Sequence, residues 1–388
     1  MVYLDHCSTT PLHADVIQAM TEVMKRYYGN PSSLHHLGIE AGRMLSRARE
    51  VIAESIAVKP EEILFTSGGT ESNNLAIKGY CAQYRHRGNH LITSMIEHSS
   101  VFETFKQLEA EGFDVTYLLP NREGFITEEA IEQALRPDTM LVSVMHINNE
   151  VGMIQPIQAI GQLLKQKPKI AFHVDAIQSL GKLAVAPYEM HVDLMSFSAH
   201  KVRGPKGMGF LYRRKGMQLK PLLTGGGQEF GERSGTENVP QIVGMAKAVR
   251  LACEQHIPGG DKLRKLRACL QQELSQIKGI IMNGAADESS MAPHLLHFSA
   301  PAMKAQVLLQ SLEKRGFYVS SQSACSSGSE NPSRVLLAMG CTHEQAISGI
   351  RVSFSTEEQE FQMKEFAQQL NEIMTEWRQV VAKEEVRS

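Results

Sequence analysis

The chain has 388 residues, enough for one large domain and a smaller one. Hydrophobic residues at 42% and charged residues at 21% are ordinary for a soluble globular protein. A formal net charge of −2 gives the chain as a whole no reason to attract nucleic acid or an anionic membrane as a direct ligand.

The first residues, Met1-Val2-Tyr3-Leu4-Asp5-His6-Cys7, lack the basic start and long apolar core of a signal peptide. No apolar run approaches a membrane span, and a cytoplasmic protein is expected. Six cysteines (Cys7, Cys81, Cys253, Cys269, Cys325 and Cys341) without a C-x-x-C pair fit reduced thiols better than a disulfide framework or a zinc site. No metal site is expected.

In chain order, a short opening strand gives way at Thr10-Pro11-Leu12-His13 to a helix that ends near Tyr28-Gly29-Asn30-Pro31. An amphipathic helix over 37–57 follows. Strand signals then recur at 62–66, 91–93, 115–118, 140–145, 170–174, 192–197 and 209–212, most of them separated by helix-length segments such as 101–112 and 128–135. This alternation predicts an α/β fold with a largely parallel, doubly wound sheet. A helix from about 240 to 256 runs into Ile257-Pro258-Gly259-Gly260, which reads as a domain boundary. Beyond it a helix to 277, strands near 279–282, 295–298, 318–320 and 350–354, and a terminal helix over 356–382 predict a smaller α+β domain. The expected organisation is an amino-terminal segment (1–15) joining the small domain, a large domain (16–257) and a small carboxyl-terminal domain (258–388).

Three strand ends carry chemistry. After the strand Ile63-Leu64-Phe65-Thr66, the turn Ser67-Gly68-Gly69-Thr70 opens a helix, and backbone N–H groups at such a helix start favour a phosphate. The same pattern also serves simply to connect a strand to a helix. Asp175 closes a second apolar strand in His173-Val174-Asp175-Ala176-Ile177-Gln178; read alone it is a helix cap or a functional acid. Lys201 ends a third in Ser196-Phe197-Ser198-Ala199-His200-Lys201; read alone it is a solvated charge or a nucleophile. Taken together, a carboxylate that keeps a pyridine nitrogen protonated beside an imine-forming lysine points to pyridoxal 5'-phosphate.

Phosphate turn, acid and lysine follow the order and spacing of the fold-type I pyridoxal phosphate enzymes. Five longer motifs narrow the match: Phe65-Thr66-Ser67-Gly68-Gly69-Thr70-Glu71-Ser72-Asn73-Asn74, Ile96-Glu97-His98, Asn148-Asn149-Glu150-Val151-Gly152, Gly225-Gly226-Gly227-Gln228-Glu229 and Arg233-Ser234-Gly235-Thr236-Glu237-Asn238. Over nearly its whole length the chain resembles the class V cysteine desulfurases of the NifS/IscS type.

That resemblance implies a pyridoxal phosphate enzyme with a large domain and a smaller α+β domain. It turns L-cysteine into L-alanine, leaves a persulfide on Cys325 and passes the sulfur to acceptors. By position, Lys201 holds the cofactor and His98 stacks on its ring and moves protons. Asp175 protonates the ring nitrogen and Gln178 meets the ring hydroxyl. Gly69, Thr70, Ser198 and His200 take the phosphate, and Thr236 reaches the phosphate of the neighbouring subunit of a homodimer. Asn148 and Arg351 bind the substrate, the latter through its carboxylate.

Cys325, in Ser320-Ser321-Gln322-Ser323-Ala324-Cys325-Ser326-Ser327-Gly328-Ser329, marks a desulfurase among the class V enzymes. An aminotransferase, a selenocysteine lyase or a non-catalytic partner-binding relative are the alternatives. Iron–sulfur cluster assembly, tRNA thiolation and other cofactor routes all draw on such a persulfide, so the acceptor stays open. Departures are small: Gln322 stands where the family usually has glycine, Met153 where threonine is usual, and Cys7 lies near the usual Asn-x-Ala/Ser-Thr-Thr opening.

Overall fold

The computed structural model describes residues 1–322 and 331–385. Within it the chain separates into two compact units. One contains Thr9–Asn148 and Ile154–His256; the other contains Met1–Ser8, Asn149–Met153 and Ile257–Ser388. The chain opens in the second unit with β1 (Val2–Tyr3) and then enters the first.

The larger unit holds seven strands: β2 (Ile63–Thr66), β3 (His90–Ser94), β4 (Asp114–Leu118), β5 (Thr139–Ser143), β6 (Ala171–Asp175), β7 (Leu194–Ser198) and β8 (Gly209–Arg213). They form one sheet in the order β2-β8-β7-β6-β5-β3-β4. Only β8 runs antiparallel to its neighbours, so the carboxyl ends of the other six strands share one edge. All but β4 are buried almost throughout, which accounts for near-continuous apolar runs in place of an alternating pattern. Leu64, Leu91, Leu141, Leu194 and Leu211 of the sheet pack with Leu75, Ile77, Tyr80, Val101 and Phe105 of two helices in one apolar cluster.

The strands fall within one or two residues of the positions predicted from apolar runs. The helix after the phosphate turn is continuous from 69 to 83 but contains a π-turn at Leu75–Gly79, a feature that recurs near functional sites.

In the smaller unit, β9 (Ile281–Asn283), β10 (Leu295–Ser299) and β12 (Gly349–Ser353) form an antiparallel sheet, while β1 pairs in parallel with β11 (Phe317–Tyr318). Phe298, Ile350, Val352, Phe354, Phe366 and Leu370 are among the residues of its core. One difference from the sequence reading is that the helices expected on either side of Pro258-Gly259-Gly260 are not separate. The backbone there is helical, within a single helix, Val239–Ser275. Buried Ile242, Met245 and Val249 precede the break, and Leu263, Leu266 and Leu270 follow it. Packing along both halves outweighs the cost of the breakers. Among the described residues no helix is long and apolar enough to cross a membrane.

Glu150 supplies a pH test of this unit. It is buried, accepts a hydrogen bond from the Ser333 hydroxyl, and burial pushes its carboxyl up to about 7 against the opposing charges of Arg351 and Arg334. The folded chain therefore holds a proton there that the unfolded chain releases near its ordinary 4.5. This contribution is full below the unfolded value and is lost as pH rises towards about 7. Glu150→Gln is expected to gain stability over the parent at about pH 8, on the order of 3 kcal/mol, and little at about pH 5. Denaturant midpoints at the two pH values check this; an equal gain at both would contradict it.

Candidate active site

The carboxyl edge of the large sheet gathers the predicted residues of that unit other than Thr236 at or just after successive strand ends. Asp175 is the last residue of β6; its Oδ1 accepts from the Ile177 backbone N–H at 3.0 Å and its Oδ2 from Asn73 Nδ2 at 2.9 Å. Asn73 Nδ2 also donates to Ser100 Oγ at 2.8 Å, and Ser100 Oγ lies 2.8 Å from His98 Nδ1. The backbone N–H of Ser100 donates to the same His98 nitrogen at 3.1 Å, which assigns the neutral ring's proton to Nε2. A continuous polar chain thus runs from the acid to the histidine. Burial pushes the Asp175 carboxyl above its ordinary range, opposed by the His98 charge, the Ile177 and Asn73 donors and the Lys201 charge.

Lys201 ends a single 3-10 turn, Ala199–Lys201, directly after β7. The turn is clamped by Thr10, whose N–H and Oγ1 both donate to the His200 carbonyl (3.0 and 2.7 Å) and whose Oγ1 accepts from the Arg203 N–H at 2.8 Å. Arg203 has φ 63°, a left-handed conformation rare outside glycine. His200 places Nδ1 3.2 Å from Thr9 Oγ1, and burial together with the Lys201 and Lys206 charges lowers its pKa to about 4. It is neutral at physiological pH.

The phosphate turn is sterically committed to glycine. A Cβ at Gly69 would lie 2.2 Å from Ile177 Cδ1 and 3.4 Å from the Cβ of Ser198, so this turn packs against the segments that follow both Asp175 and β7. Gly209 lets the Gly68 backbone approach β8, since a Cβ there would come within 2.7 Å of it. Thr70 is exposed in the first turn of the helix. Glu97 ties the ends of β3 and β5 together by accepting from Ser94 Oγ at 2.6 Å and the Met145 N–H at 3.0 Å. Asn148, fully buried, donates to the Ile96 carbonyl at 2.9 Å. Gln178 is also buried.

A sequence model of the aminotransferase class-V family matches residues 2–383. The chain is 45% identical over 351 residues to the cysteine desulfurase IscS of Dictyoglomus turgidum (strain DSM 6724 / Z-1310), covering 90% of this chain and 88% of that one. It is 45% identical over 366 residues to the cysteine desulfurase IscS of Pectobacterium carotovorum subsp. carotovorum (strain PC1), with 92% and 89% covered. The chain is a class V cysteine desulfurase of the NifS/IscS type. Among solved structures, a NifS-like protein superposes with a TM-score of 0.90 at 38% identity, over 96% of this chain and 99% of that one. SspA in complex with cysteine gives 0.81 at 36% identity, over 92% and 99%.

In this family member the remaining predicted residues fall elsewhere. Arg351 lies on β12 of the smaller unit and is 1% exposed. Its Nη1 donates to the Asn149 carbonyl at 2.7 Å, and its Nη2 contacts Asp5 Oδ1 at 3.0 Å and the hydroxyls of Ser8 and Ser320 at 2.7 Å each. Its Nε is buried and has no acceptor among the described residues. Thr236 is exposed in the loop before the helix Val239–Ser275. Cys325 lies outside the described residues. Burial raises the other thiols: Cys81 to about 12, Cys253 to about 11, and Cys269 and Cys341 above their ordinary value, while Cys7 is buried.

Asn73, Ser100 and Thr10 had no assigned role in the sequence reading. Of these, only Asn73 lies in one of the five longer motifs, and nothing in the sequence shows that its amide nitrogen serves both Asp175 and Ser100.

Proposed function

We propose that the chain is a pyridoxal 5'-phosphate-dependent cysteine desulfurase that converts L-cysteine to L-alanine and carries the released sulfur as a persulfide on Cys325. The observation that carries this reading is the hydrogen-bonded Asp175–Asn73–Ser100–His98 chain at the same sheet edge as Lys201 and the glycine turn. These groups suit the cofactor. A buried carboxylate held by two N–H donors matches a pyridinium nitrogen, and a helix start that excludes side chains matches a phosphate.

When bound, pyridoxal 5'-phosphate supplies a carbonyl that captures amines and a ring that accepts electrons from the substrate carbon. Asp175 would keep a proton at the ring nitrogen. The backbone of Gly69, the hydroxyls of Thr70 and Ser198, and His200 would hold the phosphate, joined by Thr236 from the neighbouring subunit. His98 would serve the ring, Gln178 would meet the ring hydroxyl, and Lys201 would anchor the cofactor and move the substrate α-proton.

Arg351 takes the carboxylate of L-cysteine, which would satisfy its buried Nε–H, and Asn148 orients the substrate. The Cys325 thiolate then bonds to the substrate sulfur. The Cβ–S bond breaks with its electron pair left on carbon, a proton completes the methyl group of alanine, and the transferred sulfur remains on Cys325. The cysteine complex recorded for the similar SspA supports this substrate.

The protein works as a cytoplasmic homodimer that hands sulfur to protein acceptors, serving iron–sulfur cluster assembly or tRNA thiolation. Exposed apolar side chains around the first two helices of the larger unit, Tyr28 at 72% and Leu34 at 94%, support a covered face. With L-cysteine and a thiol reductant, the holo-protein is expected to release alanine and sulfide in equal amounts without any keto acid. Amino transfer that requires a keto acid, without sulfide, would make it an aminotransferase.

A further inference from the structure

The loop between β8 and the helix Val239–Ser275 is fastened at two points to the phosphate side of its own subunit. The first is a buried fork: Arg49 Nη1 and Nη2 donate to Glu229 Oε2 and Oε1 at 2.7 and 2.6 Å, and the side chains are 11% and 2% exposed. Glu229 Oε2 also accepts the backbone N–H of Phe65 at 2.8 Å, and Arg49 Nη1 donates to the Ile63 carbonyl at 2.6 Å. One carboxylate therefore links the helix His36–Ser55, strand β2 and the loop. The Arg49 guanidinium also lies 4.3 Å from the Phe65 ring centroid and 5.1 Å from that of Phe230.

The second is Arg233, whose Nε and Nη2 donate to Glu71 Oε1 and Oε2 at 2.8 and 3.3 Å. Glu71 Oε2 accepts the Ser67 N–H at 2.6 Å, so this pair grips the glycine turn itself.

Between these anchors the backbone is strained and stitched. Glu229 and Phe230 have φ of 47° and 60°, a left-handed region that non-glycine residues adopt only where the surroundings enforce it. Gly235 N–H donates to Gln228 Oε1 at 2.9 Å, and Ser234 N–H to the Leu223 carbonyl at 3.1 Å. Thr236 follows immediately and is exposed. A loop carrying only a connection would not need two ion pairs and two left-handed residues.

We propose that Glu229 and Arg233 are positioning residues: through Arg49 and Glu71 they hold residues 225–238 so that Thr236 is presented at a fixed place to the cofactor phosphate of a second copy of this chain. The proposal rests on the reading of Thr236 given above. A hydroxyl supplied across a subunit boundary is effective only when its own backbone is fixed, and a misplacement of about 1 Å is enough to lose most of its effect.

The test compares full-length holo-protein with Glu229→Gln, Arg233→Met and Thr236→Ala variants. Affinity for pyridoxal 5'-phosphate and for phosphate-free pyridoxal is read from the visible absorbance of the bound cofactor, and subunit association from sedimentation. Glu229→Gln is expected to weaken pyridoxal 5'-phosphate binding roughly 10-fold to 100-fold, with pyridoxal affinity and the dimer unchanged. Combined with Thr236→Ala it should add almost nothing, because both act through one contact. Arg233→Met changes a partly exposed pair and keeps the test open should the buried Glu229 variant not fold. Equal losses for the two ligands, or full additivity with Thr236→Ala, would overturn the proposal by showing a general structural effect. If Thr236→Ala itself changes neither ligand, the phosphate role of Thr236 fails and this proposal with it, whereas desulfuration by the parent protein is judged separately.

Discussion

Asp175→Asn is expected to reduce turnover of L-cysteine by at least about 100-fold while the cofactor stays bound, because the phosphate groups and Lys201 are untouched. The two oxygens of Asp175 are fixed by N–H donors from Ile177 and Asn73. An asparagine has only one acceptor atom, so its amide nitrogen must face one of these donors, and it cannot bear the negative charge that keeps a proton on a ring nitrogen. Burial already disfavours that charge in the parent, and His98 and Lys201 are among the groups that oppose the shift. Steady-state kinetics with a parallel measurement of cofactor content check this. A turnover number within a few-fold of the parent would remove Asp175 from the chemistry.

The strand ends that carry this site were legible in the sequence for a definite reason. Strands buried on both faces read as short apolar runs, so the polar residue that ends each run, Asp175 or Ser198, marks the sheet edge. Lys201 was likewise placed by its distance from β7. What joins the ends was not legible. Asn73, Ser100 and His98 come from a helix and from the segment after β3, and only the three-dimensional approach of these elements makes one hydrogen-bonded chain with Asp175.

Arg351 illustrates the same limit. Alone it reads as a surface charge, yet it is buried because Asp5, Ser8, Asn149 and Ser320, separated by up to hundreds of residues, all accept from it. At Pro258-Gly259-Gly260, where one unit gives way to the other, the sequence also pointed to a break between two helices. Local propensity marks a stop, but apolar side chains on both flanks are buried and keep one helix.

Cys325→Ser is expected to abolish release of alanine and sulfide, a loss of at least about 100-fold, while the visible band of the bound cofactor and its response to L-cysteine persist. The argument begins with the other thiols. Only a thiolate attacks sulfur, and burial drives Cys81 to about 12 and Cys253 to about 11, leaving almost no thiolate at neutral pH. Cys269 and Cys341 are shifted the same way, and Cys7 is buried at the start of the smaller unit.

Cys325 differs in its sequence surroundings, with Ser323 and Ala324 before it and Ser326, Ser327 and Gly328 after it, all of them small. A hydroxyl at this position keeps nearly the same size but is a far weaker nucleophile at neutral pH. Serine variants of Cys253, Cys269 and Cys341 should stay within about two-fold of the parent, since those side chains fill space and carry no sulfur. Full sulfide production by Cys325→Ser would move the persulfide elsewhere, and loss of the cofactor band in that variant would mean that the residue maintains the site and does not react in it.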